Sequence, residues 1–383
     1  MIINLVVMQP IDLCNLNCSY CYLPGRKNPK LMSDGILEAS YKAIFNSRMV
    51  NPIHDKETLK IVWHSGEPLL AGLPFYKRAK EIEARHNINK IPVAWDIQTN
   101  ATRINQEWCD FIIENNITVG VSIDGPQFIH DQCRVNWNGK GSHTLAMRGV
   151  ELLRKNNIPL YAICVLTKNS LDYPETMFNF FKEMGFDTVC FNVDEQEGHN
   201  RQSTLGISDG DASVVDQYRH FMSSIYDLWS QGNRKINIRE FSRVISTLKF
   251  RKQFGFSPYL PSAESLAFHI VAITKDGHIS TFSPELSGGT ANNALQFMIG
   301  NVLNINSLDA LVENVNFQSQ LASVNQGLEK CKANCEYFSV CGGGSPSNKF
   351  YEHGTFNTTE TSFCKLNQKV LYDVVFNKLQ MQG

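Results

Sequence analysis

Apolar and polar positions in the first half of the chain follow two alternating rhythms. Short runs rich in β-branched residues recur at Ile3–Met8, Leu59–Trp63, Val93–Ile97, Ile117–Ile123, Ile158–Leu166 and Thr188–Val193. Between them lie stretches with helical spacing. Ser33 and Asp34 can cap one that runs to Asn46 with Leu37, Tyr41 and Ile44 on one face. Others cover Pro74–His86, Gln106–Glu114, Ser142–Lys155 and Tyr173–Met184. Strand-sized apolar runs separated by helix-sized segments predict parallel βαβ units. Six strands are too few to close an eight-stranded barrel. An α/β fold is therefore expected, with a partial (β/α)6 TIM-type barrel over residues 1–200, open on one side.

Beyond about Gly198 the pattern turns helical, at Ser208–Gln231 and Ile238–Lys252, and reads as a bridge over residues 201–255. His199 and His220 fall here and read as surface or internally satisfied histidines. In the last segment, residues 256–383, Ile270–Thr274 and His278–Phe282 flank Asp276-Gly277, a strong hairpin signal.

The polar residues fall where such barrels build their sites, at the carboxyl ends of the strands. A cysteine loop follows the first strand, and His64-Ser65-Gly66-Glu67-Pro68 follows the second. Gln98-Thr99-Asn100 ends the third, Ser122-Ile123-Asp124-Gly125 the fourth, Thr167 the fifth, and Asn192 with Asp194 the sixth. Any one of these is an ordinary turn, but together they predict a single pocket. The loop carries Cys14, Cys18 and Cys21 in a C-x3-C-x2-C spacing. Three thiolates can hold three corners of a cuboidal iron–sulfur cluster and leave its fourth iron open, whereas electron-transfer clusters normally take four protein ligands. On spacing alone a zinc loop also fits.

Composition narrows the setting. Lysine plus arginine is 36 against 37 for aspartate plus glutamate, so there is no basic field for nucleic acid or a membrane surface. The apolar runs are too short to span a bilayer. The opening MIINLVVMQP has no cationic segment and no small-residue cleavage site, so no signal peptide is expected. Seven of the eleven cysteines form two groups, Cys14/Cys18/Cys21 and Cys331/Cys335/Cys341/Cys364. That grouping suits cofactor ligation in a reducing compartment, the cytoplasm, better than a disulfide framework. Cys109, Cys133, Cys164 and Cys190 stand singly and read as small buried hydrophobes.

The cysteine loop with Tyr20, the Ser-Gly-Glu-Pro turn, the Ser122/Asp124 strand end and the terminal cysteines resemble the radical S-adenosylmethionine (SAM) enzymes with a C-terminal SPASM domain. The string Cys341-Gly-Gly-Gly-Ser-Pro-Ser-Asn-Lys349, with Val62 to Pro68, is similar to peptide maturases of the cyclophane-forming and glycine-rich-repeat class. The resemblance implies that Cys14, Cys18 and Cys21 hold a [4Fe–4S] cluster whose open iron binds SAM. It implies that Ser65, Gly66 and Glu67 meet the SAM ammonium, and that Ser122 and Asp124 meet the ribose, with Gln98 and Asn100 in the same pocket. Arg134 would pair with the SAM carboxylate, and Tyr20 and Val165 would flank the adenine. The first glycine of the family's Gly-Gly-Glu turn is Ser65 here.

A full SPASM domain carries two auxiliary clusters. No cysteine lies between Cys190 and Cys331, the expected hairpin position holds Phe282, and a further ligand position holds Ser345. The resemblance therefore implies one auxiliary [4Fe–4S] cluster, on Cys331, Cys335, Cys341 and Cys364, in a SPASM-like α+β extension; a four-thiolate zinc site is the alternative. The place of the missing cluster would be open to a precursor peptide. Glu285 is the candidate catalytic base, with Asp194, His269 and Asp276 as rivals. An electron donor such as flavodoxin or ferredoxin is implied. No separate N-terminal leader-binding module is expected, since the first strand begins near Ile3. The expected function is hydrogen abstraction by a 5′-deoxyadenosyl radical, closing a cross-link at an aromatic residue. Oxidation of a serine or cysteine to formylglycine, as in anaerobic sulfatase maturation, and a non-catalytic cluster-binding regulator are the alternatives.

Overall fold

The computed structural model describes residues 1–50, 58–207, 212–232, 235–256, 259–288 and 295–381. The strands are β1 (Leu5–Met8), β2 (Leu59–Trp63), β3 (Val93–Thr99), β4 (Thr118–Ser122), β5 (Tyr161–Leu166), β6 (Thr188–Val193), β7 (Asn237–Ile238), β8 (Ile270–Ile273), β9 (His278–Thr281) and β10 (Gly300–Asn301). Helices α1 (Asp34–Phe45), α2 (Leu73–His86), α3 (Gln106–Glu114), α4 (Gln127–Cys133), α5 (His143–Lys155) and α6 (Pro174–Glu183) alternate with the first six strands. Helices α7 (Ser213–Gln231) and α8 (Arg239–Phe254) follow. The last segment adds α9 (Val315–Asn334), α10 (Phe338–Cys341), α11 (Pro346–His353) and α12 (Leu371–Gln380). The expected start of α7 at Ser208 lies outside the described residues. Among the described residues no helix is long and apolar enough to cross a membrane.

All ten strands form one sheet in the order β10-β9-β8-β1-β2-β3-β4-β5-β6-β7. Strands β1 to β8 are parallel, and β9 and β10 add antiparallel pairings at one edge. The six expected strands form the centre of this partial, open barrel. The sheet extends further than the hydrophobic rhythm indicates. The predicted hairpin docks on β1, with Leu5 opposite Ile270. The stretch read as strandless contributes β7, whose two residues are too few to show a period.

The strands are buried on alternate residues. In β3, β5 and β6 one face is covered by the helices, while Gln98, Ile163, Val165 and Asn192 on the other face are only partly covered. Because successive side chains point to opposite faces, those residues line the barrel interior, the future site. The covered face carries the densest packing. Trp63 and Trp95 meet edge to face with centroids 5.0 Å apart, and Tyr76 reaches Trp63 at 5.2 Å and Trp108 at 5.3 Å. These rings clamp α2 and α3 onto β2 and β3. Trp63 precedes the His64–Pro68 turn, so the same packing fixes where that turn leaves the sheet.

Replacing fully buried Trp63 with alanine is expected to cost about 3–5 kcal/mol of stability, the range for a large aromatic deleted from a packed core. Urea denaturation followed by circular dichroism measures it; a loss under about 1 kcal/mol would show that the cluster is not a stability centre.

Candidate active site

The cysteine loop leaves β1 and is fastened to the segment after α4. Asn17 N–H donates to Val135 O at 2.7 Å and Ser19 N–H to Cys133 O at 3.1 Å. Trp137 Nε1 donates to Cys14 O at 2.8 Å, and the cations of Arg26 and Lys27 lie over the Trp137 ring. Sequence reading singled out Arg134 in this second segment but not the seven-residue helix before it or the part played by Trp137.

Two buried carboxylates tie the loop to the strand ends. Asp124, 2% exposed, accepts from Arg134 Nε at 3.0 Å, from Val165 N at 2.9 Å and from the Tyr20 hydroxyl. Arg134 also stands over the Tyr20 ring. Thus Tyr20, Asp124, Arg134 and Val165, far apart in sequence, form one cluster. The Arg134 guanidinium meets Asp124 through Nε, which leaves its Nη groups for a second anion.

Glu67, 1% exposed, accepts from Thr99 Oγ1 at 2.6 Å, Asn100 N at 2.8 Å and Leu69 N at 3.1 Å. Burial pushes its carboxyl up, and these donors pull it back. Three acceptor positions are therefore filled by protein, and the carboxylate welds the β2 turn to the end of β3. An ammonium at this turn would meet mainly the backbone of Ser65 and Gly66. Gly66 is tightly specified, with φ at +56° and an added Cβ 2.5 Å from Leu13 O. Ser65 holds φ at +104°, where a side chain is strained, and its buried Oγ has no partner.

Gln98 lies across Gly120 and donates from Nε2 to Ser122 Oγ at 2.8 Å, so both point into the barrel interior. Asn100 donates to Asn15 Oδ1 at 3.0 Å and reaches Cys14 Sγ at 3.9 Å, while Leu16 N–H reaches the same sulfur at 3.4 Å. Burial and then Glu67 push the Cys14 thiol up to about 12; burial pushes Cys18 up to about 11, against the nearby Arg134. Sulfurs that receive N–H donors and face a guanidinium suit an anionic cluster. The donor set of the loop therefore fits the group it is expected to hold.

The C-terminal cysteines meet as well. Cys331, Cys335, Cys341 and Cys364 line a cavity of about 90 Å³, room for several water-sized groups. Among the described residues no three of His, Cys, Asp and Glu converge on a point for one metal ion, so the four thiols frame a hollow. Gly342, Gly343 and Gly344 all have positive φ, which turns the Gly343 and Gly344 N–H groups onto Cys341. A hydrogen bond from Cys364 first, and then these two N–H groups, hold the Cys341 thiol down at about 6 against its burial. Lys349, 4% exposed, has its Nζ 3.4 Å from Cys331 Sγ. A buried ammonium needs an anion, and a thiolate-bound cluster supplies one.

A second cavity of about 550 Å³ opens between the end of β6, helix α8 and the last segment. Glu285 lines it, half-buried, with Ser283 Oγ donating to its carboxylate. Burial, and then the charge of Glu264, push Glu285 up to about 7. Cys341, Gly344 and Ser345 border both cavities. Among the rival bases, Asp194 is consumed by Thr204 and Asn200, and Asp276 is paired with Lys275 and Lys30. His269 lies on the β8 side, before the strand that flanks β1. Glu195, Glu197 and Glu264 on the cavity wall were missed, although Asp194-Glu195-Gln196-Glu197 directly follows β6. Also missed was Tyr22, whose hydroxyl lies 3.0 Å from His64 Nε2; burial keeps that imidazole neutral, down at about 4.

Known proteins show the same features. The radical SAM superfamily model matches residues 8–181. An uncharacterized protein of Synechocystis is 37% identical over 98% of this chain and 92% of its own length. A serine-type anaerobic sulfatase-maturating enzyme of Bacteroides thetaiotaomicron is 30% identical over 90% of this chain and 83% of its own. Among solved structures, anSMEcpe with bound AdoMet and the Cp18Cys peptide aligns with a TM-score of 0.77 at 22% identity, covering 99% of this chain and 98% of that one. Streptococcus suis SuiB bound to the precursor peptide SuiA aligns with a TM-score of 0.66 at 15% identity, covering 95% and 76%.

Two thiolate sets, of three and of four sulfurs, set an expected content of about eight irons per chain after anaerobic reconstitution. Iron and sulfide assays returning about twelve would require a third set that the cysteines do not provide.

Proposed function

The chain belongs to the radical SAM superfamily, whose members hold a [4Fe–4S] cluster and SAM, and from that premise we propose that it modifies a ribosomally made peptide by closing a cross-link at an aromatic side chain. The observation that carries this reading is the 550 Å³ cavity, with Glu285 and Cys341 on its wall. Its volume is typical of sites that enclose a ligand. Ser345, one of the positions at which the resemblance implies a missing cluster ligand, borders the cavity. The peptides bound to structurally similar enzymes support the same substrate class.

Cys14, Cys18 and Cys21 would hold the first cluster, with Ser65, Gly66, Ser122 and Arg134 around SAM and Cys331, Cys335, Cys341 and Cys364 around the second cluster. Bound there, these groups would supply the hydrogen-abstracting radical chemistry of the superfamily and an acceptor for the electron that ring closure releases. The chain's own part is aim and proton handling. Gln98 orients Ser122 toward the bound nucleoside. Asp124 holds Arg134 and Tyr20 in place, so in this reading it acts on SAM chiefly through them. Glu285 takes the proton that leaves when the new bond forms. Burial raises its carboxyl toward the pH at which a base works best. In the balance, one hydrogen atom leaves with the deoxyadenosyl group, one proton goes to Glu285 and one electron to the acceptor.

The sulfatase-maturating relatives favour a second reading, oxidation of a serine or cysteine to formylglycine. The absence of cysteines between Cys190 and Cys331 argues against it.

Anaerobic protein with dithionite and SAM is expected to release 5′-deoxyadenosine, and none released would exclude both readings. Coexpression with a precursor peptide encoded beside the gene should yield a product lighter by two hydrogen atoms. Resistance to fragmentation between the joined residues marks a ring, while trapping by a hydrazine marks formylglycine. Because a base acts when ionised, the wild-type rate should rise with pH through about 7. In Glu285→Gln that rise should vanish, with product formation falling about 10²-fold or more. Wild-type yield from the variant would remove Glu285 from the mechanism.

A further inference from the structure

The large cavity has a chemical bias that the peptide reading does not yet use. Glu195, Glu197, Glu264 and Glu285 all line it, and none forms an ion pair among the described residues. The fifth glutamate of the wall, Glu240, is paired with Arg239 and accepts Phe191 N–H at 3.1 Å. The two cations on the wall, Arg239 and Arg243, make their hydrogen bonds to other groups of that wall. Arg239 bonds Glu240 and, at 2.6 Å, Asn192 Oδ1; Arg243 bonds Gln368 Oε1 at 2.9 Å and Asn367 O at 2.8 Å.

Neutral groups on the wall repeat the bias. Asn348, 1% exposed, donates from Nδ2 to Glu197 at 2.9 Å and also to Glu195. Two carboxylate partners fix which end of that amide is nitrogen. Its Oδ1 is then buried with no donor, and Asn367, 6% exposed, has an unpartnered Oδ1 as well. A buried acceptor without a donor costs about 1–3 kcal/mol, and a buried carboxylate without a cation costs more. The cavity is thus lined by acceptors from five separate segments, at residues 195–197, 264, 285, 348 and 367, with its own donors already spent. An N–H-rich cation is the ligand chemistry that suits the cavity's four glutamates without an ion pair.

We infer that the cavity receives a cationic side chain of the substrate peptide, an ammonium or guanidinium held by Glu195 and Glu197, the two carboxyl groups that Asn348 Nδ2 fixes in place. The inference rests on the peptide-modifying reading and adds a class of residue to it. The peptide must carry a lysine- or arginine-like group within side-chain reach of the reacting position, because Glu285 stands on the same wall. Both ends of the recognition are then set by one cavity. The cation anchors the chain, and the reacting residue is presented to the barrel interior.

The test uses reconstituted holoenzyme and three synthetic hexapeptides, Gly-Phe-Gly-X-Gly-Gly with lysine, norleucine or glutamate at X, titrated calorimetrically under anaerobic conditions. The lysine peptide should bind about tenfold or more tightly than the norleucine peptide, and the glutamate peptide most weakly. In the Glu195→Gln/Glu197→Gln variant that preference should largely disappear. If this variant melts early, Glu264→Gln, on a separate segment, takes its place. Equal binding of the three peptides, no binding of the lysine peptide, a preference unchanged in the variants, or heat evolved with calcium or magnesium ion alone would each overturn the inference. Release of 5′-deoxyadenosine is measured on the same preparation. If it is present without a cation preference, only this inference fails; if it is absent, the enzymatic reading fails as well.

Discussion

The structure depends on placing carboxyl groups where water cannot reach them. Glu67 and Asp124 are each about 98% or more buried, and each is held by three donors, from its own turn and the end of β3 for Glu67 and from three separate segments for Asp124. Removing one partner from such a group strands a charge in a low-dielectric interior, which typically costs 3–5 kcal/mol, about as much as a large core side chain. The two carboxylates therefore act as rivets. One joins the β2 turn to β3, and the other joins the cysteine loop, the end of α4 and β5. The thiols of Cys14, Cys18 and Cys21 hang from this frame, so their mutual placement follows from buried electrostatics as much as from the eight-residue loop itself.

The barrel was largely legible in the sequence. Leu59–Trp63, Thr188–Val193 and Gln106–Glu114 match their elements residue for residue because each has a clear period and polar ends. The strand-end positions of Gln98, Ser122 and Asn192 were equally readable, since alternation alone assigns them to the barrel interior. Three features were not. Strand β7 has too few residues for a pattern, and the parallel docking of β8 on β1 is a long-range pairing with no local mark. The roles of Glu67 and Asp124 changed in emphasis. Residue type marks them as site carboxylates, but their burial and bonding to Thr99, Arg134 and Tyr20 make them fasteners first.

The carboxylates of the large cavity illustrate a different limit. Glu195 and Glu197 stand in plain view after β6, while Glu264, Asn348 and Asn367 come from segments that share no motif with them. Their meaning arises only when the tail folds back over the strand ends. Spacing rules read chemistry within a loop, as they do for the cysteines. A wall assembled from remote segments has no spacing to read, and its bias toward acceptors appears only as a count of unpaired groups.

The docking of β8 on β1 also bears on how the protein is made. Strand β1, which delivers the cysteine loop, has β2 on one side and β8 on the other, with Leu5 opposite both Lys60 and Ile270. Strand β1 thus precedes its second neighbour β8 by more than half of the chain. Until residues 270–273 emerge, its open edge can pair with other chains, the hazard of any exposed strand. The same delay keeps the cluster-binding loop unsupported on one flank for most of synthesis. Support for that flank therefore waits on a strand that begins only at Ile270.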